Sequence, residues 1–142
     1  MHILVLMKGT YLLVLKLSND ISVMVGKRGV LDFKKGFYVY VGSALQGFDQ
    51  RIRWHLRLEK KTHWHIDYLR AYSEVVAIFY KENTVKEECI IAQAFQRYFD
   101  NIPGFGCSDC SCRSHLFSGS LQEIIQLACT LEMQPYCLEA NS

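Results

Sequence analysis

Tyr38, Tyr40, Arg51 and His55, four side chains suited to phosphate chemistry, fall within the stretch Gly36 to His55, which reads G-F-Y-V-Y-V-G-S-A-L-Q-G-F-D-Q-R-I-R-W-H. In an extended Phe37–Val41, side chains alternate, so Tyr38 and Tyr40 share one face while Phe37, Val39 and Val41 share the other. Gly42 permits a sharp exit from this strand, and Ser43 or Asp49 is placed to cap a following helix. In that helix Phe48, Ile52 and Leu56 recur every four residues as a buried stripe. Arg51 and His55 repeat at the same spacing, on a stripe at the edge of the core. A phenol, a guanidinium and an imidazole, joined by a carboxylate, are the groups that phosphodiester cleavage needs: an activated water, a cation for the phosphate, and help for the leaving oxygen. A guanidinium fork grips two phosphate oxygens at once, which an ammonium does not. The plainer reading makes the tyrosines amphipathic core residues and Arg51 and His55 a solvated helix face.

A second cluster of reactive side chains lies at Cys107, Cys110, Cys112 and His115, spaced C-x₂-C-x-C-x₂-H. That spacing brings soft ligands close enough to share a tetrahedral Zn²⁺ as a closed structural site. Reduced cysteines are also common small hydrophobes in a core, in which case Asp109 and His115 are left to turn toward the reactive cleft. His63, His65 and Asp67 form a third group, open to a metal or phosphate role, although the first turn of a helix favours Asp for its own reasons. Trp64 and Tyr68 beside them read as core.

The elements that must carry these groups follow from the apolar pattern. Gly9–Leu17, Ile21–Val25 and Phe37–Val41 read as strands with short links, an antiparallel meander whose middle strand ends at Gly26-Lys27-Arg28-Gly29. A helix follows at Phe48–Leu58, and His63–Leu69 begins a short one with Thr62 as cap. Val75–Tyr80 is a further strand or edge. Thr84 and Glu87 form a capping box for a helix whose stripe is Ile91, Phe95 and Tyr98 or Phe99, broken by Pro103-Gly104. A last amphipathic helix runs over Leu121–Leu131. The fold class is α/β, a small three-stranded antiparallel sheet flanked by helices, and 142 residues make one domain able to bury roughly two-thirds of its unfolded surface.

Composition narrows the partners only slightly. A formal charge of +2 and a pI near 8.2 permit a phosphate-bearing partner without demanding one. The apolar start M-H-I-L-V-L-M is interrupted by Lys8 and lacks the basic region and cleavage site of a secretory signal. No run reaches the roughly 18 apolar residues of a membrane span. The expected location is therefore the cytoplasm, without a membrane partner, and the six cysteines are expected as thiols or metal ligands.

At Tyr40 to Ala44 the phrase Y-V-G-S-A, with Arg51 and His55 on the next helix, resembles the second half of the GIY-YIG nuclease signature; Gly9-Thr10-Tyr11 resembles the first half. H-W-H-I-D-Y-L at His63–Leu69, E-C at Glu88 and Cys89, and G-F-G-C-S-D-C-S-C-R-S-H-L at Gly104–Leu116 resemble a largely archaeal branch, domain-of-unknown-function family 123. The chain departs from the usual signature in carrying Thr10 in place of Ile and a whole extra strand between the two halves. The resemblance implies a GIY-YIG-like domain in which Tyr11 orients or deprotonates water and Tyr40 contacts phosphate or water. It further implies Arg51 as transition-state clamp, His55 at the phosphate or leaving group, and Glu88, in preference to Glu87, as ligand of one Mg²⁺ (or Mn²⁺). Nearby cations such as Lys8 or Lys27 would lower the Tyr11 pKa. The expected activity is a Mg²⁺-dependent endonuclease on DNA, in repair or processing, since relatives of the branch are fused to a DNA-repair glycosylase domain. The alternatives are a nucleic-acid-binding module on the same scaffold and a zinc-organised interaction domain.

Overall fold

A central strand with apolar residues on both faces organises the molecule. The computed structural model describes residues 8–44, 47–57, 64–82, 87–106 and 114–136. β1, Gly9–Leu17, is buried along nearly its whole length, which is why its sequence is a run of Leu and Val rather than an alternation. On one side it pairs antiparallel with β4, Gly36–Ala44, over all nine residues, and on the other with β5, Glu74–Glu82. β7, Leu116–Gly119, adds to β4, and the short β6, Asp100–Asn101, adds to β7. β8, Gln134–Pro135, closes the other edge, giving a six-stranded antiparallel sheet in the order β6-β7-β4-β1-β5-β8.

The sheet is twice the expected size, and its connectivity differs from a meander. β2, Ile21–Met24, pairs only with β3, Val30–Phe33, in a separate two-stranded hairpin closed by a 3-10 turn at Gly26–Arg28. β3 is only four residues long, too short for apolar periodicity to announce it. Once β2 has its own partner, the two nine-residue strands on either side of the hairpin are free to pair directly. The extra strand therefore does not separate Gly9–Tyr11 from Tyr40–Ala44.

Among the described residues there are four α-helices: α1, Phe48–Leu56; α2, His65–Arg70; α3, Glu88–Tyr98; and α4, Leu121–Thr130. One face of the sheet packs Tyr11, Leu13, Leu15 and Tyr40 against Phe48 and Ile52 of α1, Ile66 and Leu69 of α2, and Val23 and Phe33 of the hairpin. The other packs Leu12, Val14, Val39 and Val41 against Ile91, Ala92 and Phe95 of α3 and Ile124 and Ala128 of α4. Phe99 completes the α3 stripe, whereas Tyr98 is 71% exposed. Each helix alone is a marginal element, so burying these stripes on the sheet is what fixes them.

Several local expectations are corrected. Gly42 lies inside β4, not at its exit, and Ser43 belongs to the same strand. The residue preceding α1 is Gly47, with φ +114 and no side chain to cap with; Ser43 lies earlier, in β4, and Asp49 lies within the helix. α2 begins after Trp64 instead of Thr62, and its box is closed by the Asp67 carboxylate, which accepts from the Trp64 backbone N–H. Glu87 is itself the N-cap of α3, one full turn later than a Thr84 cap would place the start; Thr84 and Thr62 lie outside the described residues. α3 ends at Tyr98, before Pro103, because Phe99 is already extended and Asp100–Asn101 pairs with β7. Ser120 caps α4, accepting from the Glu123 N–H.

Candidate active site around Tyr11 and His55

Register brings Tyr11 and Tyr40 to one place. Tyr11 lies opposite Gly42, and Leu13 opposite Tyr40, so the two phenols stand one step apart on the same face of adjacent strands, with ring centres 6.3 Å apart. The fit over Gly42 is close: a Cβ there would sit 2.3 Å from Tyr11 Cζ, which is the reason for glycine at this point of the strand. Tyr38, on the same face as Tyr40, turns elsewhere and donates to the Lys34 carbonyl at 2.6 Å. Thr10 points to the opposite face with its hydroxyl buried, so the departure from Ile does not touch this group.

His55 completes the core of the site. Its Nε2 lies 2.6 Å from Tyr11 Oη, a bond between residues 44 positions apart in the chain, and both side chains are fully buried. The imidazole is also 6.2 Å from the Tyr40 ring and 6.3 Å from Trp64. Its partner within the site is therefore the phenol. Burial pushes the Tyr11 phenol well above its ordinary value of 10.0, and the neighbouring Tyr40 and Glu88 push the same way. Arg51, by charge and by hydrogen bonding to the phenol, pulls it down without prevailing. The cation acting on Tyr11 is thus Arg51, and the phenol is held protonated where Lys8 or Lys27 was expected to ease its ionisation.

Arg70, not singled out for chemistry, and Asp67, expected at a metal or phosphate site, instead hold the helix that carries Arg51 and His55. Arg70, 7% exposed, donates from Nε to the His55 carbonyl at 2.8 Å and reaches the Leu56 carbonyl with Nη2 at 3.5 Å, satisfying the C-terminal end of α1 with a cation. Asp67, 1% exposed, accepts from Trp54 Nε1 at 3.0 Å and from the Trp64 N–H at 2.9 Å, pinning α2 to α1. Asp67 is therefore a structural acceptor, and Trp64 is the platform on which the Arg51 guanidinium lies, 4.3 Å from the ring centre. A charged residue whose relative exposure falls this low is almost never buried without such partners.

The carboxylate comes from the first turn of α3. Glu88 has its side chain 13% exposed, acts electrostatically on Tyr11, and places Oε2 3.8 Å from His115 Nδ1. His115 Nε2 is 3.9 Å from Cys89 Sγ, so this 2% exposed histidine faces the start of α3 with both nitrogens. Glu87, by contrast, stands at the N-cap. His65 accepts the Gly106 N–H at its Nδ1, and burial followed by the nearby Arg28 lowers its pKa, so it serves as a neutral acceptor for the loop. Cys107, Asp109, Cys110, Cys112 and His63 lie outside the described residues. Among the described residues no group of three or more His, Cys, Asp and Glu side chains could hold a metal. Glu88 suits a different demand: Mg²⁺ keeps most of its waters and needs only one or two carboxylates, and this one is hard-oxygen, partly open and beside the phenol.

The family model described as Domain of unknown function DUF123 matches residues 10–135. The chain belongs to that family. No curated protein and no solved structure matches it. Within this DUF123 domain the described part of the site draws on β1, β4, α1 and α3, so the match spans every element that supplies it. The pairing of Glu88 with His115, and the roles of Asp67 and Arg70, escaped sequence reasoning. Asp67 could have been found as the carboxylate three residues after an N-cap at Trp64.

Proposed function

We propose that this DUF123 domain is a Mg²⁺- or Mn²⁺-dependent endonuclease on a GIY-YIG-like scaffold, hydrolysing phosphodiester bonds in DNA during repair or processing. The observation that carries the reading is the convergence on one buried phenol of an imidazole at 2.6 Å, a guanidinium in hydrogen-bonding reach and the carboxylate of Glu88. A structural tyrosine needs one hydrogen-bond partner; a base and a cation at its hydroxyl, with a carboxylate near enough to act on it electrostatically, suit proton transfer next to an anionic substrate.

In this reading Tyr11 orients a water for attack on phosphorus. As the new P–O bond forms, the water's proton passes to Tyr11 Oη while the phenol's own proton moves to His55 Nε2, which accounts for a phenol that burial keeps protonated. The old P–O bond breaks, and the leaving oxygen takes its proton from solvent. Arg51 grips the phosphate through the transition state, its fork steadied against Trp64, and Tyr40 contacts the same phosphate. When bound, the divalent cation supplies positive charge at the phosphate, with Glu88 as the residue that would hold it.

Substituting Glu88→Ala separates an enzyme from a binding module. Cleavage of a panel of nicked, flapped and branched DNAs in Mg²⁺ should be lost, while DNA affinity changes by no more than a few-fold because the arginines remain. Wild-type protein that binds DNA yet cuts none of the panel with any divalent metal would favour the binding module, and a protein that does not bind DNA would favour the interaction domain.

A further inference from the structure

Beside the Tyr11–His55 pair, sharing Arg51 with it, lies a cleft of about 450 Å³ lined by Arg51, Arg53, Trp54, Arg57 and Trp64. The Trp54 and Trp64 rings meet nearly at right angles with centres 5.7 Å apart, Arg51 lies over Trp64, and Arg57 stands 5.8 Å from the centre of Trp54. Three guanidinium groups repel a cationic ligand, and a purely apolar one would strip water from their charges without replacing it. What matches both the charge and the flat indole faces is an anion that carries a planar ring, and the volume falls in the range of small-ligand sites.

We propose that this cleft holds one unpaired nucleotide, its base stacked on the indoles and its phosphate on the arginines, so that the substrate class is single-stranded or flapped DNA and not continuous duplex. The reason is steric: in a duplex both faces of a base are covered by its neighbours, and only an unstacked base has a face to offer an aromatic side chain. Because Arg51 lines the cleft and also meets Tyr11, the held nucleotide is the one adjoining the phosphate to be cut. In that respect the inference rests on the nuclease reading, although binding in the cleft does not need turnover.

Trp54 and Trp64 are the only tryptophans of the chain, so emission excited selectively from tryptophan, apart from the tyrosines, reports on this cleft alone. The full chain would be titrated in chelator with an oligothymidylate and with a blunt duplex of equal length. The oligothymidylate should quench the emission and bind more tightly, whereas the duplex leaves emission unchanged. Trp64→Leu should weaken single-strand binding roughly tenfold, with most of it recovered in Trp64→Phe, as expected for one stacked base. Arg57→Ser, at an exposed position that does not threaten folding, should weaken it a few-fold and flatten its salt dependence. Equal affinity for both DNAs with no change in emission would overturn the proposal, as would displacement of the oligothymidylate by polyglutamate at matched charge. Quenching by single strands in a protein that never cuts would uphold the cleft and overturn the nuclease reading alone.

Discussion

At Tyr11 the physical question is where one proton resides. An unshifted phenol is ionised in roughly one molecule in a thousand at pH 7, and burial makes the fraction smaller still. A relay that uses the protonated phenol does not wait for that fraction, so cleavage should not climb in step with phenol ionisation between pH 7 and 9, and Tyr11→Phe should lose most of it; a rate rising about tenfold per pH unit across that range would make the phenolate the base, and an active variant would remove Tyr11 from proton transfer. The same shift bears on stability. The folded phenol titrates above the unfolded one, so its contribution is intact below about pH 10 and lost as pH rises through the folded value. Melting at pH 8 and pH 11 should show a larger loss for the wild type than for Tyr11→Phe, the other tyrosines being common to both. Gly42 offers an independent check, because a methyl at 2.3 Å from Tyr11 Cζ cannot be absorbed within the strand. Gly42→Ala should cost about 1–3 kcal/mol in chemical denaturation and displace the phenol from His55, abolishing cleavage. Wild-type stability and rate in this variant would contradict the close packing of Tyr11 on β4.

Among elements, the decisive joint is between α1 and α2. Neither is long enough to be stable alone, and neither is capped at its start by the expected side chain. Arg70 from α2 closes the end of α1, and Asp67 from α2 takes the indole N–H of Trp54, so the two helices act as one unit that presents Arg51, His55 and both tryptophans. Asp67→Ala leaves two partly buried N–H groups without their acceptor and should cost about 1–3 kcal/mol in urea unfolding, with Asp67→Asn intermediate. An unchanged midpoint in Asp67→Ala would mean that the joint is held by Arg70 and apolar packing alone.

For the whole molecule, the sheet sits between two helical layers, and no helix among the described residues is long and apolar enough to cross a membrane. His115 bears on whether a metal also organises the fold. With its ring nitrogens toward Glu88 and Cys89, it is engaged at the start of α3. Protein purified without chelator should accordingly carry no stoichiometric zinc and melt unchanged after chelator treatment. About one zinc per chain, lost in a Cys110→Ser, Cys112→Ser double variant together with several kcal/mol of stability, would instead establish a closed structural site. The sequence by itself determined which strands and helices exist at Gly9–Leu17, around Tyr40 and around His55, because apolar spacing and the alternation of Tyr40 with Val39 and Val41 are local properties of the chain. It also placed Arg51 and His55 on one side of a helix, since four-residue spacing allows little else. Tertiary structure alone decided that β2 pairs with β3 so that β1 can meet β4, that Gly42 receives the Tyr11 ring, and that Glu88 faces His115. Each of these depends on the register between segments far apart in the chain, and register is fixed by packing of whole faces, which no local pattern contains.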